Sequence, residues 1–455
     1  MPELERPGIV LVRGGIVADL DGERRVDVLI EEGVIRGLGA DLDVPTGATV
    51  LDAAGCAVMP GLVDLHTHLR EPGQEEAETV ESGSRAAALG GYTAIVAMPN
   101  TEPATDSAAA VRTVLELGRD ALCQIATAGA ITLGRAGERL APMAEMAALG
   151  VRLFTDDGRG VQNPALMRRA LEYARPLGIV LAEHCEDEAL AAGGLMHEGA
   201  WSARLGLPGQ NALAEEVMVA RDIALVRATG SPMHFLHLSS AGSVGLVASA
   251  RAEGLPVTAE VTPHHLSLTD ACAASYDPVF KVNPPLRTDA DVTAVRAGLI
   301  DGVIDAIATD HAPHPTERKE ESFDAAPPGM IGLETALAVA YDVLCRPEGV
   351  AATASWSVAA APTARSATLS ELVGWMSANP AGIGALDRSG QGGPIAAGTA
   401  ANLCIFDLTA RWTVERRGGA SRSENTPFAG QPLIGRVRHT VYRGEPVVID
   451  GKAQR

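Results

Sequence analysis

The chain has 455 residues, 46% hydrophobic, 21% charged and 3% aromatic, and carries a net charge of −20. Its length exceeds the roughly 250–300 residues at which one hydrophobic core stops growing, so a large domain with an accessory one, or two domains, is expected. The negative balance excludes generic attraction to nucleic acid or to an anionic membrane, and a small anionic substrate must find a local cluster of Arg, His, amide groups or metal.

In chain order, the opening MPELERPGIV has neither a basic n-region nor an apolar h-region, and no apolar run is long enough to span a bilayer. With six scattered cysteines and no CxxC pair, a reducing, cytoplasmic setting is expected. Short strands are predicted at residues 9–12, 26–31 and 34–38, separated by Gly-containing turns such as Arg13-Gly14-Gly15 and Asp21-Gly22. Eight apolar strand-like runs follow, at 62–68, 92–98, 122–128, 151–155, 179–184, 234–238, 257–261 and 303–309. Ala-rich segments with helical periodicity fill most gaps, at 78–89, 106–117, 165–175, 212–228, 242–253 and 289–299. This alternation predicts an α/β fold built on a (β/α)8 TIM-type barrel. Strand-like texture returns at 401–406 and 437–443, so a small β-sandwich domain built from both chain termini is expected. The expected boundaries are 1–57 and 389–455 for the two parts of the sandwich and 58–388 for the barrel.

Function in a barrel is built at the C-terminal ends of the strands, and the polar residues fall there. GLVDLHTHLREPG (61–73) puts His66 and His68 on one face of the first strand with Arg70 beyond them, a metal site beside an anion clamp. Asn100 follows the second strand, Asp156 and Asp157 the fourth, His184 ends the fifth, His237 the sixth and Asp310 the eighth. His234 has the wrong parity to join His237 and reads as structural, as do His264 and His265. His197 and His439 stand outside any constellation, and His314 is better placed than His311 to reach the pocket. Four imidazoles and two carboxylates exceed what one tetrahedral Zn²⁺ can use while keeping an open position, so two metals sharing a carboxylate and a bridging hydroxide are expected. Asp310, at the rim, is the expected proton carrier.

HLREPG (68–73), MPNT (98–101), FTDDG (154–158), EHCED (183–187), HLSSAGSV (237–244), KVNPPLR (281–287) and ATDHAPH (308–314) occur in the order and approximate spacing of a known family. By these motifs the chain resembles the amidohydrolase superfamily and, within it, the bacterial type I dihydroorotases. The resemblance implies that His66 and His68 hold one zinc, His184 and His237 the other, and that Asp157 bridges them, with Asp156 as the alternative. It also implies that Asp310 binds the first zinc as general acid/base, and that substrate meets His68, Arg70, Asn100, Asn283, His314 and the backbone at Pro328 and Gly329. The implied reaction is the reversible cyclisation of N-carbamoyl-L-aspartate to (S)-dihydroorotate in pyrimidine synthesis. A homodimer and association with aspartate carbamoyltransferase are the implied partners. Allantoinase-like or hydantoinase-like cyclic amidases, and a catalytically silent relative, are the alternatives. Hydantoinases bridge their metals with a carboxylated lysine after the fourth strand, but the only lysines here are Lys281, Lys319 and Lys452, which disfavours them. The charged segment from 311 to 332 is expected to act as a mobile lid.

Overall fold

The computed structural model describes residues 8–346 and 365–455. Residues 1–7 and 347–364, which belong to the expected N-terminal and barrel units, lie outside the described residues. The eight predicted middle strands are present, the seventh with its expected bounds and the others shortened: Leu62–Thr67, Tyr92–Ala97, Gln124–Thr127, Leu153–Phe154, Val180–Glu183, Met233–Phe235, Val257–Val261 and Ala306–Ile307. Leu62–Thr67 and Tyr92–Ala97 are buried at every residue, as parallel strands covered on both faces must be. The intervening helices begin where the sequence supplies a side-chain acceptor. Thr79, Ser107, Asn163, Ser240 and Thr288 each accept a backbone N–H from the first turn of the helix that follows.

The first three of these strands form one parallel sheet and the other five a second. Two single parallel bridges join the sheets, Gly129 to Phe154 and Thr67 to His311. The His68 N–H donates to His311 O (2.9 Å) and the Thr155 N–H to Gly129 O (2.9 Å), so both seams are stitched by backbone. Asp64 reinforces the second seam. Its Oδ1 accepts the N–H of His66 (3.2 Å) and of Thr309 (3.0 Å), and its Oδ2 accepts the Thr67 and Thr309 hydroxyls. The pair of histidines on the first strand is thereby held against the end of the eighth.

The strands stop short of their predicted ends because the chain leaves the ladder where the polar residues begin. Arg70, His237 and Asp310 have φ of 63°, 31° and 47°, a left-handed backbone that no β-strand tolerates. Such conformations in non-glycine residues concentrate where geometry serves a site.

Strands from both ends of the chain share one sheet. Its order runs Lys452–Ala453, Glu445–Ile449, Pro432–Tyr442, Leu403–Thr413, Cys56–Pro60, Ile16–Asp19 and Gly22–Arg25. A four-stranded sheet of Val34–Gly39, Asp27–Glu31, Val10–Arg13 and Thr49–Asp52 packs on it through Val10, Val28, Ile30, Leu51, Val58 and Ile405. The strand Gly22–Arg25 has no apolar alternation to announce it. What sets it is the fork of Arg24, which donates to both oxygens of buried Asp19 at 2.9 Å. Among the described residues, no helix is long and apolar enough to cross a membrane.

Candidate active site

Six polar side chains from the ends of five strands converge at the C-terminal rim. Asp157 stands at the centre. Its Oδ2 lies 3.3 Å from His66 Nε2 and 3.5 Å from His68 Nε2. Its Oδ1 lies 3.4 Å from His184 Nδ1 and 3.7 Å from His237 Nε2. One carboxylate thus faces two pairs of imidazoles with different oxygens. Asp310 Oδ1 closes the first group, 2.9 Å from His68 Nε2 and 3.5 Å from His66 Nε2.

Asp156 points elsewhere. Its carboxylate accepts the backbone N–H groups of Ile131 (2.9 Å) and Thr132 (3.0 Å) and the Thr132 hydroxyl, which leaves it no capacity to turn toward the histidines. Of the two neighbouring aspartates, only Asp157 reaches the cluster.

The donor set fits a pair of metal ions. His66, His68 and Asp157 form one group of atoms close enough to share an ion, and Asp157, His184 and His237 form another. Among the described residues His66 Nε2 is buried without a hydrogen-bond partner although two carboxylates face it, an orphaned position that a cation would satisfy. Imidazole and carboxylate together suit zinc. The local electrostatics agree. Burial pushes the Asp157 and Asp310 carboxyls up, but the facing histidines outweigh it and hold both well below the usual carboxylate range. His184 moves the other way: burial pulls it down, and Asp157 with Glu186 raises it to about 10.

The expected substrate residues surround this cluster. Asn100 Oδ1 accepts from His68 Nδ1 at 2.9 Å, and Asn283 Nδ2 lies 3.4 Å from His184 Nε2. Arg70 is buried, its Nε donating to Pro313 O at 3.1 Å, and its terminal nitrogens make no hydrogen bond to any described residue. Burial lowers this guanidinium to about 10, which leaves it charged at neutral pH. His314 has its pKa pulled to about 3 by burial and by Arg70, so it is neutral, and its Nε2–H donates to Pro328 O at 2.9 Å. Its single N–H is therefore committed within the protein. Gly329 is likewise engaged: its N–H donates to Lys281 O (2.9 Å), and its carbonyl accepts from Lys319 Nζ and Asn425 Nδ2 (both 3.1 Å). Substrate contact through His314 or the Pro328–Gly329 backbone requires one of these bonds to exchange. Beside His184, a cavity of about 330 Å³ is lined by Glu186, Gln210, Lys281, Asn283 and Pro328.

The segment expected to be a lid carries a short helix, Thr316–Lys319, and is tied down along its second half. Lys281 Nζ donates to the carbonyls of Asp324 and Ala326, and Lys319 Nζ to those of Pro327 and Gly329. Two of the three lysines of the chain are spent on this loop.

Sequence reasoning missed the residues behind the histidine cluster. Glu260 Oε1 accepts from His66 Nδ1 at 2.9 Å, and its Oε2 lies 3.0 Å from His234 Nε2. A glutamate inside the apolar run 257–261 was the available signal. His265 is structural as expected, bonded to Thr262 Oγ1 (2.8 Å) and Pro284 O (3.0 Å). His264 Nε2 is buried and unpartnered among the described residues. His311 lies away from the cluster, 3.2 Å from Glu78 Oε2, while His197 meets Arg287 and His439 meets Asp52 O.

A family model described as Dihydro-orotase-like matches residues 55–243. The chain is 47% identical to a dihydroorotase of Streptomyces coelicolor over 445 residues, covering 97% of this chain and 99% of that one. It is 47% identical to a dihydroorotase of Mycobacterium tuberculosis over 446 residues, with the same coverage. Among solved structures, the L-hydantoinase (dihydropyrimidinase) of Arthrobacter aurescens superposes with a TM-score of 0.83 at 26% identity, covering 98% of this chain and 97% of that one. A D-hydantoinase from a Thermus species gives a TM-score of 0.80 at 23% identity, covering 98% and 96%, a likeness of fold. Near-half identity from end to end, with the histidine and aspartate cluster intact, places the chain in the dihydroorotase family of the amidohydrolase superfamily.

Proposed function

We propose that the chain is a zinc-dependent dihydroorotase that interconverts N-carbamoyl-L-aspartate and (S)-dihydroorotate in pyrimidine synthesis. The observation that carries this reading is Asp157, whose two oxygens face two separate imidazole pairs. His66, His68 and Asp310 would hold one zinc, His184 and His237 the other, with Asp157 shared. Bound there, such ions polarise the amide carbonyl and lower the pKa of an attacking water.

The rest of the chemistry falls to the chain. In the hydrolytic direction a water oxygen bonds to the ring carbonyl carbon and the carbon–nitrogen bond breaks. Asp310, held ionised by His66 and His68, takes the water proton and returns it to the leaving nitrogen. In the cyclising direction the same carboxyl takes the proton from the carbamoyl nitrogen and gives it to the departing oxygen. Arg70, Asn100 and His314 hold the substrate carboxylate, with Arg70 offering the two unpaired terminal nitrogens of a bidentate clamp. Asn283 and the Pro328–Gly329 turn form the opposite wall, next to the cavity beside His184.

The proposal includes a closed (β/α)8 barrel over 58–388 and a β-sandwich of 1–57 with 389–455. The two bridges joining the parallel sheets, and the mixed sheet of strands from both ends, support it. It further includes a cytoplasmic homodimer, with or without aspartate carbamoyltransferase; six unpaired cysteines agree with a reducing setting.

Turnover of dihydroorotate, allantoin and hydantoin by the purified protein, with zinc counted per chain, tests the reading. Turnover of dihydroorotate with two zincs is expected. Preference for allantoin or hydantoin would replace the substrate assignment, and a folded protein with metal but no turnover would point to a silent relative.

A further inference from the structure

We propose that Glu260, backed by His234, is a positioning residue that fixes the ring of His66 as a metal ligand. The inference rests on the metal reading above. Glu260, His234 and His66 are all fully buried, on strands where apolar side chains are the rule. A carboxylate and an imidazole inside such a layer destabilise the fold unless each is bonded. Here every polar atom of the pair has a partner. Glu260 Oε1 is 2.9 Å from His66 Nδ1, Oε2 is 3.0 Å from His234 Nε2, and His234 Nδ1 is 2.8 Å from Thr258 Oγ1.

The direction of these bonds follows from what each atom can do. An ionised carboxylate has no proton to give, so both imidazoles donate to it. In the neutral ring that a metal ligand requires, His66 therefore carries its proton on Nδ1 and keeps the lone pair on Nε2. That nitrogen is the one facing Asp157 Oδ2 (3.3 Å) and Asp310 Oδ1 (3.5 Å). In the other tautomer a lone pair would face the Glu260 carboxylate and an N–H would fill the ligand position. His234, receiving the Thr258 hydroxyl on Nδ1, presents Nε2–H to Glu260 and prevents the carboxylate from rotating away. The strand register places these groups side by side, with His234 opposite Thr258 and Phe235 opposite Ala259. Carboxylates that orient a ligating imidazole and raise its basicity typically strengthen metal affinity by about 10–100-fold.

The test uses the full chain as wild type, Glu260→Gln and His234→Leu. Each is stripped with a chelator, checked for fold by circular dichroism, and titrated with Zn²⁺ against a chromophoric chelator. The visible spectrum of the Co²⁺-loaded protein is the second readout. Glu260→Gln keeps the size and an acceptor but removes the charge. It is expected to weaken one of two bound ions by about 10–100-fold and to shift the Co²⁺ bands, while the other ion binds as before. His234→Leu touches no ligand and is expected to weaken the same ion by less than Glu260→Gln does, up to about tenfold, the low end for an outer-shell partner. A folded Glu260→Gln protein that binds both ions like wild type overturns the proposal. If that variant does not fold, unchanged affinity in His234→Leu overturns it instead. A wild-type chain that takes up no divalent ion is a separate result, which removes the metal reading itself.

Discussion

Substituting Gly329 by alanine asks whether the turn after the eighth strand forms part of the substrate wall. Gly329 has φ of 144°, a region open essentially to glycine alone, and forcing alanine into it costs about 1–3 kcal/mol. Space adds to the cost. A Cβ there would sit 2.8 Å from His314 Nε2 and 3.0 Å from both the Cβ and the carbonyl oxygen of Ala312. Ala312 cannot retreat, because its N–H donates to Met330 O (2.8 Å) and its carbonyl accepts from Asn425 (3.0 Å). The turn must therefore move outward, stretching the bonds from Lys319 and Asn425 to Gly329 O, worth about 1 kcal/mol each. The total comes to about 3–5 kcal/mol. Urea unfolding measures it, with Gly302→Ala as the control. Gly302 also has a positive φ, 72°, but nothing within 4 Å of its Cβ position, so its substitution should cost only the backbone strain of about 1–2 kcal/mol. Steady-state kinetics supplies the functional half: displacing His314 and Pro328 should raise KM for dihydroorotate at least about tenfold, roughly 1.4 kcal/mol of binding. Equal destabilisation of the two variants would refute the packing argument. A large loss of stability with unchanged KM would refute the substrate wall.

Three further outcomes are expected. Asp310→Asn should keep much of the zinc, since His66, His68 and Asp157 remain, yet lower kcat by about 10²–10⁴-fold; near-normal kcat would remove Asp310 as the proton carrier. Asp157→Asn should lower the zinc count per chain, whereas Asp156→Asn should leave it unchanged and cost about 1–3 kcal/mol of stability through the Ile131 and Thr132 N–H groups. Metal loss in Asp156→Asn alone would reverse that assignment. Lys319, pushed from 10.5 down to about 7 by burial and by Lys281, binds fewer protons folded than unfolded between those two values. Stability should therefore rise with pH from about 7 toward 10.5, at up to about 1.4 kcal/mol per pH unit, relative to Lys319→Met. A flat or falling difference between their unfolding free energies would mean that the carbonyls around Nζ hold it as an ammonium.

Much of the scaffold was legible because its causes are local. Apolar runs bounded by Thr79, Ser107, Asn163, Ser240 and Thr288 announce buried strands and capped helices, and the predicted helices match the observed ones to within about two residues. The shortened ends of strands such as Leu153–Phe154 and Ala306–Ile307 were not legible, because bridges between distant segments decide where a ladder stops. Gly22–Arg25 escaped notice for a different reason: it is a polar hairpin strand tied to Asp19 by an ion pair, with no apolar pattern to mark it. His234 and His237 face different ways, as their odd separation predicts, but strand alternation is not what separates them. The strand ends at Phe235, and His237 is aimed by its left-handed backbone.

By itself, the sequence determined the alternation of strands and helices and the set of histidines and aspartates available to the site. It also fixed the absence of a lysine where one would bridge, since each of these is a property of residue type and order. Tertiary structure alone decided which aspartate faces the histidines, since Asp156 and Asp157 differ only in what lies across from them. It also committed the His314 N–H to Pro328 and set Glu260 behind His66, contacts spanning 14 and 194 residues of chain. Side-chain direction at a strand end depends on backbone torsions and on partners that arrive only when the chain has closed on itself, and no local pattern encodes those partners.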